Sequence, residues 1–133
     1  MFINCSGVRP TDQHACENIL LFTSDDLFKW AFDSVVLEGG TATTDPDYSI
    51  CGDPCVFDIG DDNLYMTIFR VTLNGVGTGT GLARTSKKEF PYGWKKYDFR
   101  FGSGIKAYVT FRGNTMYHFY NENGNQIYVQ TSN

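Results

Sequence analysis

Long apolar runs are missing from this 133-residue chain, and no stretch approaches the roughly 20 residues of a membrane-spanning helix. Clustered positive charge is missing as well. The formal net charge is −4, and the lysines fall in isolated pairs, Lys87-Lys88 and Lys95-Lys96. A nucleic acid requires a basic footprint that such pairs do not supply. Neither a membrane nor a nucleic acid is therefore expected as a partner. The lysine pairs read instead as a solvated edge that discourages strand pairing. No sustained helical period occurs, and residues 24–30 allow one capped turn at most. Residues 1–7 have neither the basic nor the apolar region of a secretory leader, so location stays open.

Histidine is scarce. His14 and His118 are isolated, and His118 lies mid-strand between Tyr117 and Phe119, as a strand-face residue would. The four cysteines lack the C-x2-C knuckle of structural zinc sites. Cys5, Cys16, Cys51 and Cys55 leave three readings: a four-thiolate zinc site, disulfides formed in an oxidising compartment, or free and partly buried thiols. The last needs no further assumption, and neither a metal nor a cofactor is expected.

Aromatic residues and glycine are plentiful, with 16% Phe, Trp and Tyr and 14 glycines. They are arranged in a pattern that occurs three times. Ile19-Leu20-Leu21-Phe22-Thr23-Ser24, Gly81-Leu82-Ala83-Arg84-Thr85-Ser86 and Ile127-Tyr128-Val129-Gln130-Thr131-Ser132 all end in Thr-Ser. Trp30 and Trp94 follow the first two at similar distances. Before the last two copies, residues 55–69 and 107–120 each read as an apolar run, a Gly/Asp/Asn turn and a second apolar run. That is a strand–turn–strand signature. Such self-similarity signals a propeller or solenoid of sheet units. The expected fold is all-β, with four-stranded antiparallel units in one incomplete domain. Residues 1–40 hold the end of one unit, 51–101 a complete unit, and 105–133 the first three strands of the next.

Three segments carry a family resemblance. Ser24-Asp25-Asp26-Leu27-Phe28-Lys29-Trp30 resembles a "Ser-x-Asp-Leu-x-x-Trp" segment. Gly52-Asp53-Pro54-Cys55-Val56-Phe57, with Gly60 to Tyr65 after it, resembles an "Asp-Pro-x-Val-Phe … Gly-x-x-Tyr-Tyr" blade opening. Gly79-Thr80-Gly81-Leu82-Ala83-Arg84-Thr85-Ser86 resembles "Ile-Gly-Leu-Ala-Thr-Ser". Together they are similar to the five-bladed β-propeller glycoside hydrolases, of the arabinanase/xylosidase and invertase/levanase types. The resemblance implies a carbohydrate ligand and carboxylates on innermost strands around a central funnel. One pair would act as acid and base across the glycosidic bond.

Asp53 matches such a position, in the role of a stabilising aspartate. As a bare Asp-Pro it would read only as a turn opener. The next blade should open with an acidic glutamate, but Lys106 stands there, and a cation cannot act as that acid. Asp45-Pro46 reads as a linker with no following strand. Asp25, Asp26, Asp61 and Asp62 lie in turns and face solvent. Trp30, Tyr92, Trp94 and Tyr108 are the candidates for stacking on sugar rings, although the repeat-related Trp30 and Trp94 suit packing between blades better.

Two functions follow as expectations. The chain belongs to a larger glycosidase acting on plant or microbial polysaccharide or oligosaccharide and is inactive alone. Alternatively, it binds sugar or another small ligand without hydrolysis and assembles as a homo-oligomer through exposed blade edges. A purely structural interaction module is a third possibility.

Overall fold

The computed structural model describes residues 1–8, 15–75, 78–102, 104–122, 124 and 126–132, so His14 lies outside the described residues. Among the described residues there is no helix. The strands are β1 (Phe2–Val8), β2 (Ala15–Thr23), β3 (Ala31–Leu37), β4 (Ile50–Phe57), β5 (Asn63–Val71), β6 (Gly79–Ser86), β7 (Lys95–Lys96), β8 (Ile105–Arg112), β9 (Thr115–Asn121) and β10 (Ile127–Ser132). They form three antiparallel sets: β1-β2-β3, β4-β5-β6-β7 and β8-β9-β10. One parallel bridge, Glu17 to Ile50, joins the first two sets into a single sheet. Neither sheet closes on itself, as expected of an incomplete propeller-type all-β fold.

The hairpins read from residues 55–69 and 107–120 form as β4–β5 and β8–β9. Two expectations need correction. Asp45-Pro46 does lead into a strand, because β4 begins at Ile50. β1 runs beyond Asn4: Cys5, Ser6 and Gly7 pair with Asn18, Glu17 and Cys16. Cross-strand pairing, not hydrophobic alternation, holds that polar stretch extended.

The Thr-Ser ends have a local reason. Ser24 Oγ accepts a hydrogen bond from the Leu27 N–H at 2.9 Å, and Ser86 Oγ one from the Glu89 N–H at 3.2 Å. Each serine thus caps the bend after its strand, satisfying an N–H three residues on. The tryptophans then turn back alike: Trp30 Nε1–H donates to Leu27 O at 3.1 Å and Trp94 Nε1–H to Pro91 O at 2.8 Å.

The core lies between the strand sets. Ile19 and Leu37 of the first set pack with Cys51, Met66, Ile68, Ala83 and Trp94 of the second. Phe2 meets Trp94 edge-on, with centroids 5.8 Å apart. At the next junction, Phe57 and Leu82 meet Val109, and Phe57 lies 6.1 Å from Phe111 and 6.4 Å from Phe101. Aromatic contacts of this kind add about 1 kcal/mol each beyond burial. His118 is buried there too, its ring 5.4 Å from Phe101 and 5.2 Å from Tyr120. Burial holds its imidazole below the ordinary value of 6.5, against a hydrogen bond with Gln130 that acts the other way. The cysteines are free thiols: Cys5 is exposed, Cys55 half-buried, Cys16 and Cys51 buried, and burial pushes Cys51 up to about 12.

Polar groups bolt the junctions. Arg70, buried at 3% exposure, donates to Tyr97 O at 3.1 Å and Phe99 O at 2.8 Å. A Cβ at residue 81 would collide with its Nε and Cδ, so only glycine admits the guanidinium. The lysine pair at β7 is not simply a solvated edge, as the sequence suggests. Lys96 reaches back to the first set, donating to Glu38 O at 2.8 Å and pairing with Asp47, whose side chain is 4% exposed. Removing one member of a buried pair strands the other's charge. Lys96→Met is expected to lower unfolding stability by about 3 kcal/mol, read as a shift in the urea midpoint. An unchanged midpoint would contradict a structural role for the pair.

Candidate functional site

The site begins with two matching interruptions of regular pairing. In β4, Gly52 pairs with Phe69 and Cys55 with Thr67, so Asp53 and Pro54 together face the single residue Ile68. In β8, Ile105 pairs with Asn121 and Tyr108 with Phe119, so Lys106 and Ala107 face Tyr120. Each is a β-bulge whose first residue is left-handed: φ is 47° at Asp53 and 52° at Lys106. Glycine normally fills that place. A side chain there costs on the order of 1–3 kcal/mol and clusters where function demands it. Pro54 costs the ladder nothing, because the bulge leaves no partner for its missing N–H.

The bulges bring their side chains together. The Asp53 carboxylate accepts a hydrogen bond from the backbone N–H of Lys106, and the Lys106 charge lies close. Beside them is an open cleft of about 450 Å³, walled by Phe2, Ile3 and Asn4 of β1, Asp53, Pro54 and Cys55 of β4, and Lys106, Ala107 and Tyr108 of β8. Tyr108 presents 58% of its surface and Lys106 is exposed, while Asp53 is half-buried. Burial raises the Asp53 carboxyl above its ordinary 3.8; Lys106 opposes this through its N–H and charge, and Glu17 adds to it. Half-protonated chemistry of this kind lets one carboxyl group either donate or accept a hydrogen bond.

Of the residues singled out in the sequence, the structure gathers Asp53, Lys106 and Tyr108 in this cleft and leaves three elsewhere. Trp94 is 8% exposed and packed in the core against Phe2. Trp30 lies in a separate depression with Phe2, Phe22, Phe90 and Pro91. Tyr92 is exposed, but its hydroxyl donates to Asp33 Oδ1 at 2.9 Å, linking the segment before β7 to β3. Asp25, Asp26, Asp61 and Asp62 are exposed. Backbone N–H groups of Phe28, Lys29 and Asn63 hold Asp26 and Asp61 below the usual carboxylate range. No cluster of His, Cys, Asp and Glu able to hold a metal ion occurs among the described residues.

Sequence reading missed Asn4 and Glu17. Asn4 lines the cleft, and its Nδ2 donates to Glu17 Oε2 at 3.0 Å. Pairing of Ser6 with Glu17 across β1 and β2 would have brought the two together, had the polar residues 5–8 been taken as strand.

No protein-family model matches the chain, and no curated protein does. Solved structures do. One described as "Glycoside hydrolase" matches with a TM-score of 0.71 and 20% identity, over 98% of this chain and 39% of that one. Another, described as a complex of BT0996 and RGII, matches with a TM-score of 0.75 and 21% identity, over 99% of this chain and 40% of that one. The chain thus shares a glycoside hydrolase-like all-β fold and spans about 40% of the length of these neighbours.

The raised carboxyl yields a stability prediction. Folding favours protonated Asp53, so its ionised form opposes folding at pH values above the unfolded pKa. Asn tolerates left-handed backbone. Asp53→Asn is expected to raise the melting temperature at pH 7, with the gain vanishing as pH falls below about 3.8. A lower melting temperature at pH 7 would contradict the assignment.

Proposed function

We propose that the cleft between β1, β4 and β8 binds carbohydrate, as part of the site of a glycoside hydrolase-type β-propeller in which Asp53 supplies one carboxyl group. The observation that carries this reading is the pair of left-handed bulges, which set Asp53, Lys106 and Tyr108 around one open cleft. Each fits a sugar chemically. An exposed tyrosine ring offers an apolar face to a pyranose or furanose ring. A carboxyl group and an ammonium pair with ring hydroxyls as acceptor and donor. The likeness of the whole fold to glycoside hydrolase chains supports the same reading.

Hydrolysis needs two carboxyl groups flanking the glycosidic bond. At the position where the second would open β8, this chain carries Lys106. Hydrolysis is therefore assigned to a longer protein, acting on plant or microbial polysaccharide or oligosaccharide. The sugar chemistry is proposed from arabinan, xylan, fructan and RGII oligosaccharides, tested as a panel. Calorimetric titration is expected to find binding by at least one member. Asp53→Ala and Tyr108→Ala are each expected to weaken it tenfold or more, about 1.4 kcal/mol. Binding by none, or binding that neither substitution affects, would overturn the proposal.

A second reading, a non-catalytic sugar-binding homo-oligomer, is favoured by β10. Among the described strands it pairs with β9 alone, and Ile127 and Val129 stand 78% and 54% exposed. Such an edge is a template for another strand. Sedimentation is expected to show assembly at micromolar concentration, and a stable monomer would remove this reading.

A further inference from the structure

Glu17 belongs to none of the recurring sequence patterns, yet its carboxylate is fixed at the edge of the cleft. β2 carries it opposite Ser6, and the parallel bridge to Ile50 draws β2 against β4 at that point. Oε2 accepts the hydrogen bond from Asn4 Nδ2 at 3.0 Å. The same oxygen lies 2.8 Å from where a Cβ on Gly52 would stand. Gly52 immediately precedes Asp53, so the absence of a side chain there lets a second carboxylate approach the bulge.

The charged groups facing Asp53 are then few. Lys106 comes from β8 with its N–H and its ammonium, and Glu17 comes from β2. β1 contributes the neutral Asn4, and β5 the apolar Ile68 opposite the bulge. We propose that Glu17 is a positioning residue of the cleft: it holds the Asn4 amide at the wall and sets the charge that Asp53 carries toward a ligand. The first part is direct hydrogen bonding. The second is like-charge repulsion, which disfavours two neighbouring carboxylates being ionised together. Protonated, Asp53 donates a hydrogen bond to a ligand oxygen; ionised, it only accepts. Glu17 thereby decides which kind of ligand oxygen the cleft prefers. The proposal rests on the cleft being the ligand site, but its test needs no ligand.

The test is a carboxyl-carbon NMR titration of Asp53 in the full 133-residue chain. In Glu17→Gln, which keeps an oxygen to accept from Asn4, the Asp53 midpoint is expected to fall. In Lys106→Met it is expected to rise. The unmodified chain supplies an independent reading, because the Asp53 resonance must register the titration of Glu17 as a second inflection. A single-step Asp53 curve, or a midpoint unmoved in Glu17→Gln, overturns the role of Glu17 whatever the cleft binds. A failed sugar titration would overturn the carbohydrate reading and leave this coupling as it stands.

Discussion

A hydrogen bond from the backbone N–H of Lys106 to the carboxylate of Asp53 ties together two strained bulges on different sheets. Everything at the cleft depends on it. Each bulge turns one residue into left-handed backbone, where a side chain is disfavoured and a glycine would be at ease. The strain holds because the flanking pairs, Gly52–Phe69 and Cys55–Thr67 in one hairpin and Ile105–Asn121 and Tyr108–Phe119 in the other, fix the chain on both sides. The consequence is chemical. Asp53 loses water and gains an N–H, two influences that oppose each other on its ionisation, and burial is the larger.

The bulges can be held at a fixed separation only if the strand sets beneath them do not slide. Aromatic packing resists sliding at both junctions. Phe2 wedges between Phe90 and Trp94 at the first, and Phe57 sits among Tyr65, Phe101 and Phe111 at the second. Apolar contact alone is tolerant of small shifts, whereas hydrogen-bonded charge is not. Lys96 bridging to Asp47 and Glu38, and Arg70 holding Tyr97 and Phe99, therefore supply the register that the rings do not. A site between separate sets of strands needs both kinds of contact.

Much of this was legible in the sequence where the signal is local. Alternating apolar runs around Gly60 and Gly113 announce the two hairpins, and the serines of the Thr-Ser pairs announce the bends they cap. Asp53 stands out through its proline, and Lys106 through standing where a carboxylate was expected. The rest depended on contacts between distant residues. Glu17 meets Gly52 only because β2 and β4 touch at one parallel bridge, which no periodicity encodes. Asp47 looks like a loop residue, and its burial is decided by Lys96 far along the chain. The tryptophans show the converse. Their size and chemistry suit sugar stacking, but each indole N–H is committed to the carbonyl three residues back, and Trp94 is spent on the core.

The central claim is that ligand recognition is concentrated at the bulge pair. Its most direct test is to map amide chemical shifts of the isotope-labelled chain during titration with the oligosaccharide panel. The account predicts that Asn4, Asp53, Lys106 and Tyr108 move together and saturate at one concentration. Shifts gathered instead around Trp30 and Phe90, or scattered without saturation, would contradict it.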